Sequence, residues 1–329
     1  KKKKRSSVQI GSEFEQSMQT VAAITGETSQ VMRSLENEVR RLGATTSFTA
    51  REAADAMGVL ARSGMEAADL LKVTGEVLLF AGAAGTTLNR SAQLITATMR
   101  QFSLETSHSG QVTDIFSVAL KESLFDMQSL TAAMRYGGSV ASSFNMSLDE
   151  TVASLALFRN LGLEGSMAGT QFRMAMSKAS KETNRGTEAL KKYNLTYADI
   201  NPSLNSFIDI MKKVGEANMS MSDIIKVFGV RSAGSISKIS QESIKLGNEF
   251  DRLMTEMRLG AGVTEEMYNK MQDTVKMQAL VVKSAQEEIA ITLFDSFKEP
   301  LKETLKVISG ATKFVGDTLK SMSSFFFFF

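Results

Sequence analysis

Hydrophobic residues recur every three or four positions along most of the chain, a spacing that predicts amphipathic helices. The first predicted helix covers residues 12–42, with a capping box formed by Ser12 and Glu15 at its start and Gly43 at its end. Shorter helices are predicted near residues 49–64, 66–80, 89–102, 110–122, 127–143, 147–160, 165–181, 203–214, 222–228 and 233–258. The pattern therefore predicts an all-α fold built from many short helices.

The apolar pattern changes near Thr264, after which almost no Gly interrupts it. This segment predicts a long amphipathic C-terminal helix, kinked near Pro300 because a proline ring clashes with the carbonyl four residues back. Some of its apolar residues repeat every seven positions, as in coiled coils. Self-association and packing against the chain's own domain are both compatible with this stripe. The residues of the possible oligomer seam are Val275, Val282, Ile289, Leu293 and Phe297.

Two segments of the chain resemble each other. A residue that can cap a helix is followed by Glu three positions later and, after a helix of equal length, by a turn Gly. This pattern predicts a helical hairpin in each segment, at about 49–66 and 147–164. A single hairpin of this kind cannot bury its apolar face alone. The copies are expected to pack on each other or on a neighbouring subunit, and coincidence among common helix signals is the alternative. The motif residues are Thr49, Glu52 and Gly64 in the first copy, and Ser147, Glu150 and Gly162 in the second.

Composition narrows the possible functions. With 43% hydrophobic residues the chain can bury a core, and a net charge of +2 indicates no particular partner. The sequence has no Cys and a single His, His108, which excludes disulfides, a Cys nucleophile and a multi-His zinc site. No apolar run is long enough to predict a membrane-spanning helix, and no secretory signal is apparent.

The candidate catalytic residues do not form a recognisable pattern. His108 lies in a polar loop with Asp114 nearby, but no nucleophile motif surrounds it, so we interpret it as a surface histidine. The stretch from Gly82 to Gly85 lacks the Lys-Ser/Thr ending of a phosphate-binding loop. We therefore predict no enzymatic activity, no catalytic residue, no cofactor and no metal site.

Adjacent carboxylates occur at two places in the C-terminal part of the chain. Neighbouring positions on a helix point in different directions, so such a pair does not face one substrate. A solvent-exposed helix face is the interpretation for both pairs, which are Glu265 with Glu266 and Glu287 with Glu288.

The two ends differ from the rest of the chain. Lys1 to Arg5 is purely basic and Phe325 to Phe329 is purely Phe. We interpret residues 1–11 as a basic tail and 323–329 as a poly-Phe end, both non-native or arbitrarily assigned, with a nuclear or membrane-surface signal as the alternative for the basic run. Between them lie a helical core at 12–260 and a long helical segment at 261–322.

Five stretches, taken in order, resemble the core region of the tape measure proteins of long-tailed bacteriophages. Together they extend the resemblance over roughly residues 14–320. The stretches are Val21 to Thr28, Leu42 to Glu52, Leu60 to Met65, Val77 to Gly85 and Leu155 to Leu163.

The resemblance implies a structural protein of the tail lumen or tip that helps to set tail length during assembly and leaves at infection, with a further role in genome passage through the host membrane. Implied partners are other copies of the chain in a symmetric homo-oligomer, tail tube proteins, tail-tip or baseplate proteins, assembly chaperones and the host inner membrane after ejection. Sequence-specific nucleic acid binding is not expected. The implied location is the virion tail, after assembly in the host cytoplasm.

Because short helices dominate the first 260 residues, we expect this part of the chain to be a compact core. The helices that measure tail length are expected to lie outside it. A membrane-active, pore-forming protein or toxin is the alternative function.

Overall fold

The computed structural model describes residues 5–326, with side chains omitted at 310, 311 and 314–326. The predicted all-α fold is confirmed, and no strand occurs in this part of the chain. The helices are α1 Ser7–Thr25, α2 Ser29–Thr45, α3 Ala50–Arg62, α4 Ala67–Ala83, α5 Leu88–Gln101, a 3-10 turn Thr106–His108, α6 Ser109–Glu122, α7 Met127–Ser143, α8 Leu148–Asn160, α9 Gly165–Ala179, α10 Asn184–Lys191, α11 Tyr197–Ile200, α12 Phe207–Glu216, α13 Met221–Phe228, α14 Val230–Gln241, α15 Ser243–Leu259, α16 Val263–Gln272 and α17 Val275–Phe326.

The first predicted helix is two helices in the structure. α1 ends at Gly26, whose φ of 66° lies in the left-handed region, and Thr28 caps α2. The cap of α1 is Ser6 rather than Ser12, so residues 7–11 belong to a helix and not to a tail. Lys1 to Lys4 and Phe327 to Phe329 lie outside the described residues.

Gly43 does not end α2, which continues to Thr45. A Cβ atom at this position would lie 2.4 Å from the backbone nitrogen of Ala50. Gly43 is therefore a close-packing position, where the end of α2 meets the start of α3.

The two hairpins have matching geometry. α3 and α8 each contain 13 residues, and Gly64 and Gly162 follow them with φ values of 84° and 87°. The core positions matched in the two sequences are all buried, namely Ala54, Met57 and Leu60 in α3 and Val152, Leu155 and Phe158 in α8. The hairpins are joined through α6, which packs against α4 and against α8. Phe116 of α6 contacts Phe80 of α4, with ring centroids 5.9 Å apart.

Small residues allow α7 and α9 to approach each other closely. A Cβ atom at Gly165 would lie 2.0 Å from the carbonyl oxygen of Ser129, and one at Gly169 would lie 2.4 Å from that of Ala133. Neither position can hold a larger residue without separating the helices.

The helices after α9 depart from the predicted boundaries. α10 and α11 were not predicted, and the segment predicted as one helix at 233–258 is divided at Glu242 into α14 and α15. Phe207 of α12 contacts Phe158 and Phe172 of the second hairpin, with ring centroids 5.6 Å and 5.8 Å apart. These helices therefore enlarge the core around that hairpin.

The C-terminal segment is also two helices. α16 ends at Gln272, and the side chain of Thr274 accepts a hydrogen bond from the backbone of Met277 at the start of α17. α17 continues without a break through Pro300. The kink near Pro300 stays a prediction.

Candidate interaction surface

The capping motifs hold helices in place. The Thr49 N–H donates to Glu52 Oε2 at 2.8 Å, and the Glu52 N–H donates to Thr49 Oγ1 at 3.2 Å, which together form a reciprocal capping box. In the second copy the Glu150 N–H donates to Ser147 Oγ at 3.4 Å. The Glu150 carboxylate instead accepts a hydrogen bond from the Phe207 N–H at 3.0 Å, and burial raises its pKa. The second motif therefore also links α8 to the start of α12.

His108 and Asp114, which the sequence placed near each other, make contacts with different parts of the chain. His108 is exposed, and its Nδ1 lies 3.3 Å from the hydroxyl of the adjacent Ser107. Asp114 accepts hydrogen bonds from the N–H groups of Gly262 and Thr264, both at 2.9 Å, and so caps α16. Within the described part of the chain, no group of three or more His, Asp or Glu residues is placed to hold a metal ion.

One face of α17 packs against α1 and α2. Ile291 and Phe294 are buried there, and Gly11 of α1 lies so close that a Cβ atom would come within 2.2 Å of the Phe294 ring. The Ser284 hydroxyl is shared between the carbonyl oxygens of Gly43 and Phe48, at 2.6 Å and 2.5 Å. The first half of α17 is therefore part of the folded core.

Ion pairs lie along the same face. Arg40 of α2 bonds to Glu288 and to Asp295, each at 2.7 Å. Arg5 bonds to Glu287 at 2.5 Å. The solvent-exposed face predicted for Glu287 and Glu288 is therefore wrong, because Glu287 is 8% exposed and both carboxylates bind arginines from the start of the chain. Burial raises the pKa of Glu288, and the hydrogen bond from Arg40 opposes this shift.

The other predicted pair, Glu265 and Glu266, is exposed on α16. Glu266 pairs with Lys270 one turn later in the same helix, at 2.5 Å. This pair lies on a solvent-exposed helix face, as the sequence predicted.

The opposite face of α17 is apolar and exposed. The exposed fraction of the predicted seam residues is 90% for Val275, 58% for Val282, 61% for Ile289, 53% for Leu293 and 38% for Phe297. We call these five residues the α17 stripe. The alternative, that this stripe packs against the chain's own domain, does not describe the structure, because a different face of α17 makes those contacts.

Beyond Lys302, which bonds to Glu15 of α1 at 2.5 Å, the helix leaves the domain. All residues from 303 to 309 are exposed, including Leu305, Val307 and Ile308. A lone helix with exposed apolar residues on several sides is a feature of protein interaction sites.

Within the described residues, none of the helices is both long enough and apolar enough to cross a membrane.

These features define an all-helical protein with an exposed apolar face on its long C-terminal helix. The sequence model of the phage-related minor tail protein family matches residues 36–229, and the chain belongs to this family. The matched segment begins in α2 and ends after α13, so it contains both hairpins.

The relatives extend the comparison over nearly the whole chain. The chain is 27% identical over 324 residues to the tape measure protein of Pneumococcus phage Dp-1, and this alignment covers 96% of the chain and 28% of that protein. It is 25% identical over 314 residues to the probable tape measure protein of Escherichia phage P2, and this alignment covers 93% of the chain and 38% of that protein. The resemblance to the core of tape measure proteins is therefore confirmed. The chain spans about a third of the length of these relatives. No solved structure matches it.

Proposed function

We propose that this chain is the folded section of a phage tail tape measure protein, a structural and non-enzymatic component that helps to set tail length and is released at infection. The observation that carries the proposal is the alignment with two proteins named as tape measure proteins over 96% and 93% of the chain. These alignments continue past the family match and include the first half of α17 with its stripe.

We propose further that residues 12–260 form a compact module and that the measuring helices lie outside these residues. The packing of the two hairpins, α6 and the surrounding helices around one hydrophobic core supports this division. A folded core of this kind spans far less than the roughly 390 Å that 260 residues would span as one helix.

The α17 stripe is proposed to be the seam of a symmetric homo-oligomer around the tail axis. Its support is geometric, since five apolar residues lie exposed on one side of a helix that is fixed to the domain by its other side. Seven-residue spacing of Val275, Val282 and Ile289 fits knobs-into-holes packing between helices.

The remaining partners are proposed from the same role. They are tail tube proteins, tail-tip or baseplate proteins, assembly chaperones during synthesis in the host cytoplasm, and the host inner membrane once the protein has left the tail. The virion tail, in its lumen or at its tip, is the proposed location.

The proposal can be tested in the phage that encodes the chain. Peptides from residues 7–309 should be found by quantitative mass spectrometry in purified tails, at a constant ratio to the tube subunit. After DNA ejection is triggered, this ratio should fall, because the protein leaves ahead of the genome. A phage protein that is not part of the particle serves as the control for contamination. Absence of the peptides from washed particles, or an unchanged ratio after ejection, would contradict the proposal.

A further inference from the structure

Four helices of the core contain no acidic residue. They are α5, α7, α9 and α14, and they pack side by side in that order, α5 on α7, α7 on α9 and α9 on α14. This is unusual in a chain whose 38 basic and 36 acidic residues nearly balance. The basic residues of these helices are Arg90, Arg100, Arg135, Arg173, Lys178, Arg231 and Lys238. We call the four helices the acid-free layer.

Two grooves open on the exposed side of this layer, one on each side of α7. The first, of about 410 Å³, lies between α5 and α7 and is lined by Arg90 and Gln93 of α5 and by five residues of α7, one of which is Arg135. The second, of about 460 Å³, lies between α7, α9 and α14 and includes Tyr136 and Arg231. No carboxylate lines either groove.

The arginines in the grooves have no acidic partner in the described part of the chain. Arg90, Arg135 and Arg231 are exposed and take part in none of the ion pairs found there. Elsewhere on the molecule arginines do find carboxylates, as Arg258 does with Asp149 at 2.6 Å. Lys238 of α14 pairs with Glu242, but the positive charge of the arginines in the two grooves is not compensated by an ion pair among the described residues.

The second groove is also apolar. Met167 is 50% exposed and Tyr136 is 41% exposed, and Met174 lies beside them. A hydrogen bond from Ser235 Oγ to Gln171 Oε1, at 2.6 Å, joins α14 to α9 at this groove. Methionine adapts to the shape of different apolar partners, and tyrosine and arginine are enriched at protein interfaces.

We propose that the acid-free layer is a docking surface for an acidic protein helix that has an apolar side. The uncompensated arginines match carboxylates of a partner, and Met167, Met174 and Tyr136 match its apolar residues. A nucleic acid backbone would use the arginines but not the methionines, which is why a protein segment is favoured. Three spacings of about 9 Å between neighbouring helices allow at most about 27 Å between α5 and α14, a span that a helix of about 18 residues crosses. The proposal does not depend on the tape measure role.

The test uses the full chain and a defined probe. The probe is a fluorescent, alanine-based helical peptide of about 18 residues, with Leu at helical spacing on one side and Glu beside it. Its binding, followed by fluorescence anisotropy, should weaken as salt is added, because the contacts are between exposed charges. The same peptide with Lys in place of Glu should not bind.

The variant Arg135→Gln/Arg231→Gln should weaken binding of the acidic peptide about tenfold, as expected from two ion pairs of about 0.7 kcal/mol each. The matched control is Arg33→Gln/Lys245→Gln, which removes the same charge at exposed positions of α2 and α15. It should bind like the unaltered protein. All four positions are exposed, so loss of the fold is not expected, and circular dichroism checks this.

A second variant distinguishes an acidic protein helix from a nucleic acid as the partner. Met167→Ser should weaken binding of the acidic peptide and leave binding of a double-stranded DNA of about 20 base pairs unchanged, because phosphates do not contact methionine. The proposal would be overturned if the peptide does not bind, if the two double variants behave alike, or if only the DNA binds and Met167→Ser has no effect.

Discussion

Arg40 and Arg41 are neighbours on α2 and differ in what they hold together. Arg40 reaches across to α17, where it bonds to Glu288 and Asp295. Arg41 is 60% exposed and bonds to Glu38 in its own helix, at 2.6 Å. Because burial raises the pKa of Glu288, the ionised carboxylate depends on Arg40 for its stability. Only Arg40 is therefore expected to matter for the attachment of α17.

Replacing Arg40 with Gln should lower the free energy of unfolding by about 1–3 kcal/mol, because the carboxylate of Glu288 loses its partner while it is partly buried. Arg41→Gln should cost less than about 0.5 kcal/mol. Urea denaturation at constant temperature measures both. Equal losses in the two variants would contradict this account of α17.

The pH dependence of the Arg40→Gln loss follows from the sign of the Glu288 shift. A carboxyl group whose pKa is raised on folding favours the folded state at low pH and loses that contribution as the pH rises through the folded pKa. Without Arg40 the pKa of Glu288 should rise further. The loss should therefore be largest near neutral pH and shrink as the pH falls towards the ordinary glutamate value of 4.5, because the folded-state pKa of Glu288 lies above that value with or without Arg40.

The contacts of Glu287 and Glu288 explain why sequence reasoning failed there. Helical spacing shows only how residues of one helix are placed relative to each other. The arginines that bind these carboxylates lie more than 240 residues earlier in the chain. The same limit applies to Gly43, whose close neighbour Ala50 belongs to the next helix. A local pattern does not contain such information.

At the scale of helices, features with local causes were the predictable ones. The capping box of Thr49 and Glu52 and the turns at Gly64 and Gly162 lie where the sequence predicted them. The residues that determine a capping box lie within four positions, and each of these turns depends on one glycine in the left-handed region. The breaks at Gly26 and Thr274 were missed because the apolar spacing continues across them. α10 has only two hydrophobic residues, Ala189 and Leu190, and α11 has only four residues, so neither shows a period that can be recognised.

The α17 stripe leads to a prediction about self-association. Val282 and Ile289 are 58% and 61% exposed, so the substitution Val282→Glu/Ile289→Glu should leave the folded chain intact and place charges in the proposed seam. In sedimentation equilibrium the unaltered chain should associate and the variant should remain a monomer.

The control for this experiment is Ile244→Glu, which places a charge on an apolar residue of α15 that is 80% exposed and lies outside the stripe. This variant should associate like the unaltered chain. A monomeric unaltered chain at all concentrations, or an equal effect of the control, would remove the seam from the proposed function.

The whole molecule joins two kinds of structure. Up to α16 the helices pack around a common core, whereas α17 is attached to this core by its first half and continues alone beyond Lys302. An insertion should therefore change the end-to-end length of the two parts differently. A residue added to a surface loop of the core leaves the ends of that loop where they were, but a residue added to a lone helix lengthens it by about 1.5 Å.

Tail length provides the corresponding measurement in the phage. An insertion of roughly 42 helix-forming residues, six heptads, after Ser309 should lengthen the tails by about 63 Å if the proposed role is correct and α17 lies along the tail. The same insertion after Leu204, which is 68% exposed in the loop before α12, should leave tail length unchanged because the core stays folded. Electron microscopy of negatively stained particles measures both. Equal lengthening by the two insertions would mean that the core unfolds into an extended form inside the tail, and no change with either would mean that this section does not contribute to measuring.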